Sequence, residues 1–141
     1  MKLSAFFNQN AIEEENIKYA ASKRFVDETG NPIEWELCSI TSDEDEQLRK
    51  ACTKRVPVPG KKNMFVPETD TNKYLGMLAA RCTVYPNLND AELQNNYGVM
   101  GADALLKKML KPGEYSDLLS KIQEINGFEV TVEEMVDEVK N

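Results

Sequence analysis

Three cysteines, Cys38, Cys52 and Cys82, are the strongest nucleophiles and softest metal ligands in the chain, and nothing near them in sequence completes a site. They lie far apart and form no CxxC pair. The chain has no histidine. That removes the usual general base, the usual zinc ligand and the physiological pH switch. A thiol nucleophile wants a partner base, so an odd, scattered set reads as buried thiols in a reducing compartment. The acidic run Asp43-Glu44-Asp45-Glu46 lacks the glycine and the closing glutamate, in register, of a calcium loop. Gly60-Lys61 lacks the spaced glycine and the following Ser or Thr of a phosphate loop. Gly98-Val99-Met100-Gly101 has the GxxG spacing of an RNA-clamping loop, but that loop wants basic surroundings and here Asp103 follows. No catalytic, cofactor-binding or metal-ligating residue emerges.

The composition narrows the class further. A chain of 141 residues fits one domain, and at that length it buries roughly 65–70% of its unfolded surface, enough for a core without staples. Apolar residues are 41% and charged residues 29%, which is ordinary for a globular protein. The net charge of −7 repels phosphate, so nucleic acid is not expected as a main partner. No apolar run approaches the roughly 20 residues of a membrane span, and the N-terminus carries no signal-peptide pattern. The expected location is the cytoplasm, with no membrane partner.

The elements follow from periodicity and punctuation. Leu3, Phe6 and Phe7 suit one face of a short helix, too short to stand alone. They either pack on the body or serve as a docking peptide, and residues 1–15 form an arm of the kind that is often mobile. Ile17 to Phe25 and Ile33 to Leu37 alternate as the two strands of a hairpin. Gly30, Asn31 and Pro32 supply its turn. Lys18, Ser22 and Arg24 can face Glu34 and Glu36 across it. Thr41 with Glu44 is a capping box opening a helix with Leu48, Ala51, Cys52 and Val56 as its stripe. Residues 56–69 read as an irregular loop, because Pro57, Pro59 and Pro67 rule out a helix. Arg49 to Lys62 holds six basic residues and no acidic one. This stretch is either a solvated loop or an extended arm gripping an acidic neighbour, with Met64, Phe65 and Val66 as apolar anchor.

Asp70 caps an expected central core helix over 72–84, in which Met77 and Cys82 act as filler and after which Pro86 stops the helix. Short helices follow, with Asn89 as a cap paired with Glu92. Leu105, Leu106, Met109 and Leu110 form one stripe; Tyr115, Leu118, Leu119, Ile122 and Ile125 form the next. Pro112 sits in a first turn and Gly127 at a stop. Thr131 with Glu134 opens a last helix whose Val132, Met135, Val136 and Val139 share a face. Glu114 to Asn141 carries eight acidic residues against two basic, so this helix either closes the core or offers an acidic amphipathic surface. The expected fold is α+β and predominantly helical. It is a single domain over 1–141, with a β-hairpin at 16–40 on a compact set of five or six short helices at 41–141.

Several connected phrases resemble a known family. They are SAFF near the start, SKRFVDETGNPIEWEL, TSDEDEQLRKACTKR, VPVPGKK, YPNLNDAELQNNYGVMGADALLKKML and KPGEYSDLLSKIQEINGF. Together they are similar to phage tail assembly chaperones, specifically the XkdN-like group of PBSX-like prophages and myophages of Gram-positive hosts. The resemblance spans nearly the whole chain. It implies a non-enzymatic assembly factor without cofactors, encoded between the tail tube and tape measure genes. Such a factor coats the tape measure protein, recruits tail tube subunits, works in the host bacterial cytoplasm and is absent from the finished particle. Many members of this class also exist in a longer, frameshifted form. Val139-Lys140-Asn141 is compatible with a −1 slip codon run, so a frameshifted longer form of the chain is an expected partner, as is self-association. The competing readings are a structural tail or connector protein retained in the particle, an enzyme, and an acidic regulator masking a basic partner. Residues expected to meet a partner, chosen as exposed apolar groups, are Phe6 and Phe7, Met64 and Phe65, and Met135 and Val139.

Overall fold

The computed structural model describes residues 2–128. The arm consists of two 3-10 turns, Leu3–Phe6 and Asn8–Asn10, with no buried residue in either. Strand β1 (Ile17–Tyr19) pairs antiparallel with β2 (Trp35–Leu37) in the register Ile17↔Leu37, Lys18↔Glu36, Tyr19↔Trp35. The expected hairpin is there, but its first strand stops at Tyr19 rather than Phe25. Ala20 is exposed while Ala21 and Ser22 are both buried, so the alternation a strand requires fails at that point. A single bridge, Val26↔Pro32, marks where the chain turns back. Asp27 builds that turn by accepting the N–H groups of Thr29 at 2.9 Å and Asn31 at 3.0 Å. Gly30 supplies the positive φ; Asn31 does not. Lys18 meets Glu36 at 3.6 Å, as the cross-strand charges suggest, whereas Arg24 turns away to Glu114 and the Met109 carbonyl.

Helix α1 (Ser42–Ala51) starts at Thr41, whose hydroxyl accepts the Glu44 N–H at 3.3 Å. It contains no buried residue. Leu48 packs against the core while partly buried, and a polar clasp adds to that contact. Arg49 donates to Asp45 at 3.0 Å and to the Tyr74 hydroxyl at 3.2 Å, and Tyr74 in turn donates to Asp45. The Arg49 guanidinium lies 4.3 Å from the Tyr74 ring centroid. Burial, then the bond to Asp45, pushes the Tyr74 hydroxyl up to about 12. Burial alone would raise Asp45, but the bonds from Tyr74 and Arg49 outweigh it and hold that carboxyl below its ordinary value. A second pair, Arg81 with Glu44, ties the helix start to the same neighbour.

Residues 56–69, read as an irregular loop, are instead part of a two-stranded ribbon: β3 (Thr53–Pro57) pairs antiparallel with β4 (Phe65–Thr69). The Val58 N–H donates to the Met64 carbonyl at 2.9 Å, and the Asp70 N–H to the Cys52 carbonyl at 2.8 Å. Hydrogen-bonded and non-bonded pairs alternate along such a ladder. Pro57 and Pro67 therefore fall on the non-bonded pairs, where the missing N–H faces outward, so prolines that forbid a helix fit an edge ribbon.

Helix α2 (Thr71–Cys82) is the hub, packing against α1 and the last two of the helices that follow. Asp70 caps it, accepting the Lys73 N–H at 3.1 Å. It ends two residues before the expected Val84, because Thr83–Tyr85 forms β5, the third strand of the sheet β1-β2-β5. Then come α3 (Ala91–Asn96), α4 (Ala102–Met109) and α5 (Pro112–Ile125). Asp90 caps α3, accepting the Leu93 N–H at 2.9 Å; the expected cap, Asn89, is one residue early and gives its own N–H to Asn87. Glu114 accepts the Lys111 N–H at 2.8 Å at the start of α5. The core lies between the three-stranded sheet and α2, α4 and α5. Its largest fully buried side chains include Trp35, Leu37, Leu78, Leu105, Leu106, Leu118 and Ile122. The α+β class, with the N-terminal hairpin on five helices among the described residues, is as the sequence predicts.

Candidate partner-binding surface

Two projections leave this core. The arm leads into β1, and the ribbon rises from the connection between α1 and α2. The α1 clasp on Tyr74 sets the root of the ribbon, and Thr53 and Thr69 close its base with hydroxyls 2.8 Å apart. Among the described residues β3 and β4 pair only with each other. Every residue of β4 is exposed.

The structure places the predicted contact residues on these projections. Phe6 is 73% exposed and Phe7 47%; Met64 and Phe65 are each 50% exposed. Phe6 and Phe7 are therefore not core residues. Met135 and Val139, with the helix expected around them, lie outside the described residues. Met64 and Phe65 are adjacent but do not share a face. Strand alternation sends Phe65, with Pro57, Pro67 and Arg55, to one side of the ribbon. Met64 joins Val56, Val58 and Val66 on the other. Both faces of the outer ribbon are thus apolar.

The basic run divides in two. Arg49 and Lys50 are spent within α1, on Asp45 and Glu46. Lys54, Arg55, Lys61 and Lys62 stay on the ribbon, all exposed. None of these four forms an ion pair with another described residue. Glu68, opposite Lys54, is the only acidic residue between Thr53 and Thr69.

Some exposed apolar groups escaped sequence reasoning. Met100 is 94% exposed on the turn before α4. It sits between two glycines with positive φ, Gly98 and Gly101, which is the only local hint. Val84 and Tyr85 are exposed on β5. A groove of about 510 Å³ also had no sequence signal, since its walls come from three distant segments. It is lined by Ile17, Leu37 and Ile125, by Asn16, Cys38 and Ser39, and by Glu14, Glu15 and Glu124.

Two of the three thiols are enclosed in the core. Burial pushes Cys52 and Cys82 up, and both are enclosed by core neighbours. Cys52 approaches the Met77 sulfur at 3.4 Å, and Cys82 accepts from Asn126 at 3.5 Å. Among the described residues no acidic or thiol cluster has the arrangement to hold a metal, and no helix is long and apolar enough to cross a membrane.

The family model described as phage XkdN-like tail assembly chaperone protein matches residues 3–140. The chain belongs to that family. This XkdN-like chaperone is 36% identical over 140 residues to the phage-like element PBSX protein XkdN of Bacillus subtilis (strain 168), covering 99% of this chain and 93% of the relative. It is 34% identical over 140 residues to the protein YqbN of the same organism, with the same coverage. The crystal structure of YqbN matches with a TM-score of 0.78 at 32% identity, covering 92% of this chain and 98% of that one. The general role is that of a phage tail assembly chaperone, as the sequence phrases imply, and its fold is one that an experimental structure of a relative shares.

Proposed function

We propose that this chaperone binds the tape measure protein during tail assembly, keeps it from aggregating and helps bring tail tube subunits to it. The reading rests on family membership across residues 3–140. The shape of the molecule supports it: apolar side chains stand exposed on an arm and a ribbon, outside a core that is already closed. Short, Met- and Phe-bearing projections suit an amphipathic helical client. A net charge of −7 keeps such a surface soluble. The action is non-enzymatic, takes place in the host cytoplasm and leaves the chaperone out of the mature particle.

The test is affinity capture of the tagged chain from cells producing tails, with mass spectrometry of what co-purifies and of finished tails. Recovery of the tape measure protein, with the tagged chain absent from purified tails, is expected. Recovery of the chain as a stoichiometric part of intact particles would overturn the proposal in favour of a structural tail protein.

A further inference from the structure

The end of α5 borders the root of the ribbon. The helix closes in a Schellman cap: the Gly127 N–H donates to the Glu124 carbonyl and the Phe128 N–H to the Gln123 carbonyl, both at 3.0 Å, with Gly127 at a φ of 84°. That cap fixes where the chain leaves the helix. Phe128 is 43% exposed and lines a hollow of about 360 Å³ together with Arg49, Thr69, Tyr74, Leu75 and Leu78. Thr69 is the last residue of β4. Its face of the ribbon continues through Pro67 and Phe65, with Thr53, Arg55 and Pro57 as their cross-strand partners. Lys61 and Lys62 lie in the turn beyond. We propose that residues 129–141 fold back across this hollow and along the Arg55–Phe65–Pro67 face of the ribbon of the same chain, an acidic strap that a client of that face must displace.

Charge, pattern and length select this occupant. Residues 129–141 carry Glu129, Glu133, Glu134, Asp137 and Glu138 against a single lysine, Lys140. Arg55, Lys61 and Lys62 are exposed and form no ion pair with another described residue. The groove beside the sheet also borders the end of α5, but Glu14, Glu15 and Glu124 line it and repel an acidic segment. The sequence places Val132, Met135, Val136 and Val139 on one helical face, which complements an apolar ribbon face bounded by cations. Thirteen residues span about 20 Å as a helix and more than about 40 Å extended. The five residues of β3 rise about 17 Å, so the segment reaches the end of the ribbon from Phe128. A tether this short supplies an effective concentration on the order of 1 mM, so an intrinsic Kd of about 0.1 mM keeps the strap about 90% closed. A client that lays an apolar surface on Phe65 then binds with its affinity reduced by the open fraction. The face with Met64, Val56, Val58 and Val66 stays uncovered. The contact does not depend on which protein competes for it.

Amide hydrogen exchange of the full chain, read by mass spectrometry, tests this. One variant carries Lys61→Glu and Lys62→Glu; a second carries Asp137→Lys and Glu138→Lys; a third carries all four changes. In the parent, peptides from 129–141 should exchange about tenfold more slowly than an unstructured chain of the same sequence, and raising salt from about 50 mM to about 500 mM should erode that protection. The first and second variants should each bring it to within about twofold of the unstructured rate, and the third should recover to within about threefold of the parent. A photo-cross-linker at position 65, in a mixture of heavy- and light-isotope protein, should join peptides from 129–141 of the same copy. The same cross-linker at position 64, on the opposite face, should not. Three results would overturn the proposal. They are residues 129–141 exchanging at the unstructured rate in the parent, protection that the ribbon reversal leaves unchanged because the segment sits elsewhere, or cross-links that join heavy copies to light ones.

Discussion

Tyr115 on α5 and Gly76 on α2 meet at one point. The Tyr115 hydroxyl is buried and has no hydrogen-bond partner among the described residues. A Cβ built on Gly76 would lie 3.0 Å from that oxygen, with its next neighbours, Asp103 Cβ and Lys107 Cε, at 3.7 and 3.9 Å. Glycine inside a helix costs roughly 0.5–1 kcal/mol relative to alanine, so here it is kept for the close approach of α5. Two consequences follow. Tyr115→Phe should be neutral or stabilise by up to about 1 kcal/mol, because an unmade buried hydrogen bond costs more than an absent one. Gly76→Ala should destabilise the parent but stabilise the Tyr115→Phe background, by about 0.5–1 kcal/mol. Urea unfolding of the two single variants and the double variant gives the coupling. Purely additive effects would mean that the oxygen is not what opposes the methyl. Nothing in the sequence singles out Gly76, because the clash partner lies on another helix.

At the scale of elements, α1 combines one partly buried apolar contact, Leu48, with a polar clasp. It has no buried residue, and the Asp45–Tyr74–Arg49 clasp fixes it to α2. Tyr74 ionises at about 12 in the folded chain against an ordinary 10.0. The stability tied to that rise is full below about pH 10 and is lost as pH climbs toward 12, because the folded state binds the proton more tightly than the unfolded one. For a shift of this size the loss is on the order of 2–3 kcal/mol. Asp45 acts in the opposite direction: its share is present above its ordinary 3.8 and lost as pH falls through its lower folded value. Urea midpoints between pH 9 and pH 12 should fall for the parent and less steeply for Tyr74→Phe, the remaining fall belonging in part to Tyr19 and Tyr115, whose hydroxyls burial also raises; equal slopes would remove Tyr74 as a contributor.

Most helix ends were legible because each is a local chemical event: Thr41, Asp70, Pro112 and the stop at Gly127 can be read from a few adjacent residues, while the cap of α3 is Asp90 rather than the expected Asn89. The strands were less so. β5 exists because Glu36 and Leu37 pair with Tyr85 and Thr83, a contact between distant segments with no local mark. The ribbon was hidden by its own prolines, which read as breakers until the pairing shows that Pro57 and Pro67 occupy outward positions. Exposed anchors on the arm and ribbon were visible as apolar residues among polar ones. The groove under Glu14 and Glu15 was not, since only folding brings Ile125 to Ile17.

Across the whole molecule, the residues of the closed core and the exposed apolar residues of the arm and ribbon are different sets. The core is closed by side chains such as Leu105 and Leu118, each with no exposed surface. The ribbon that carries Met64 and Phe65 is rooted in the body but contributes little to that core. Truncating the core and truncating the ribbon should then give opposite signatures. Leu118→Ala should cost about 2–5 kcal/mol and lower tail yield only by lowering the amount of folded chaperone. Met64→Ser with Phe65→Ser should change stability by no more than about 0.5 kcal/mol, as surface changes usually do, yet lower tail yield with the chaperone at its normal level. Thermal unfolding, immunoblotting and a count of infectious or sheathed particles from the same cells separate the two cases. If the ribbon variant assembles tails normally while remaining folded, the ribbon is dispensable and the arm, with Phe6 and Phe7, becomes the projection that must meet the client. If it lowers the melting temperature as Leu118→Ala does, the ribbon belongs to the core's cooperative unit, and an exposed plug on a self-sufficient body is the wrong description of this chaperone.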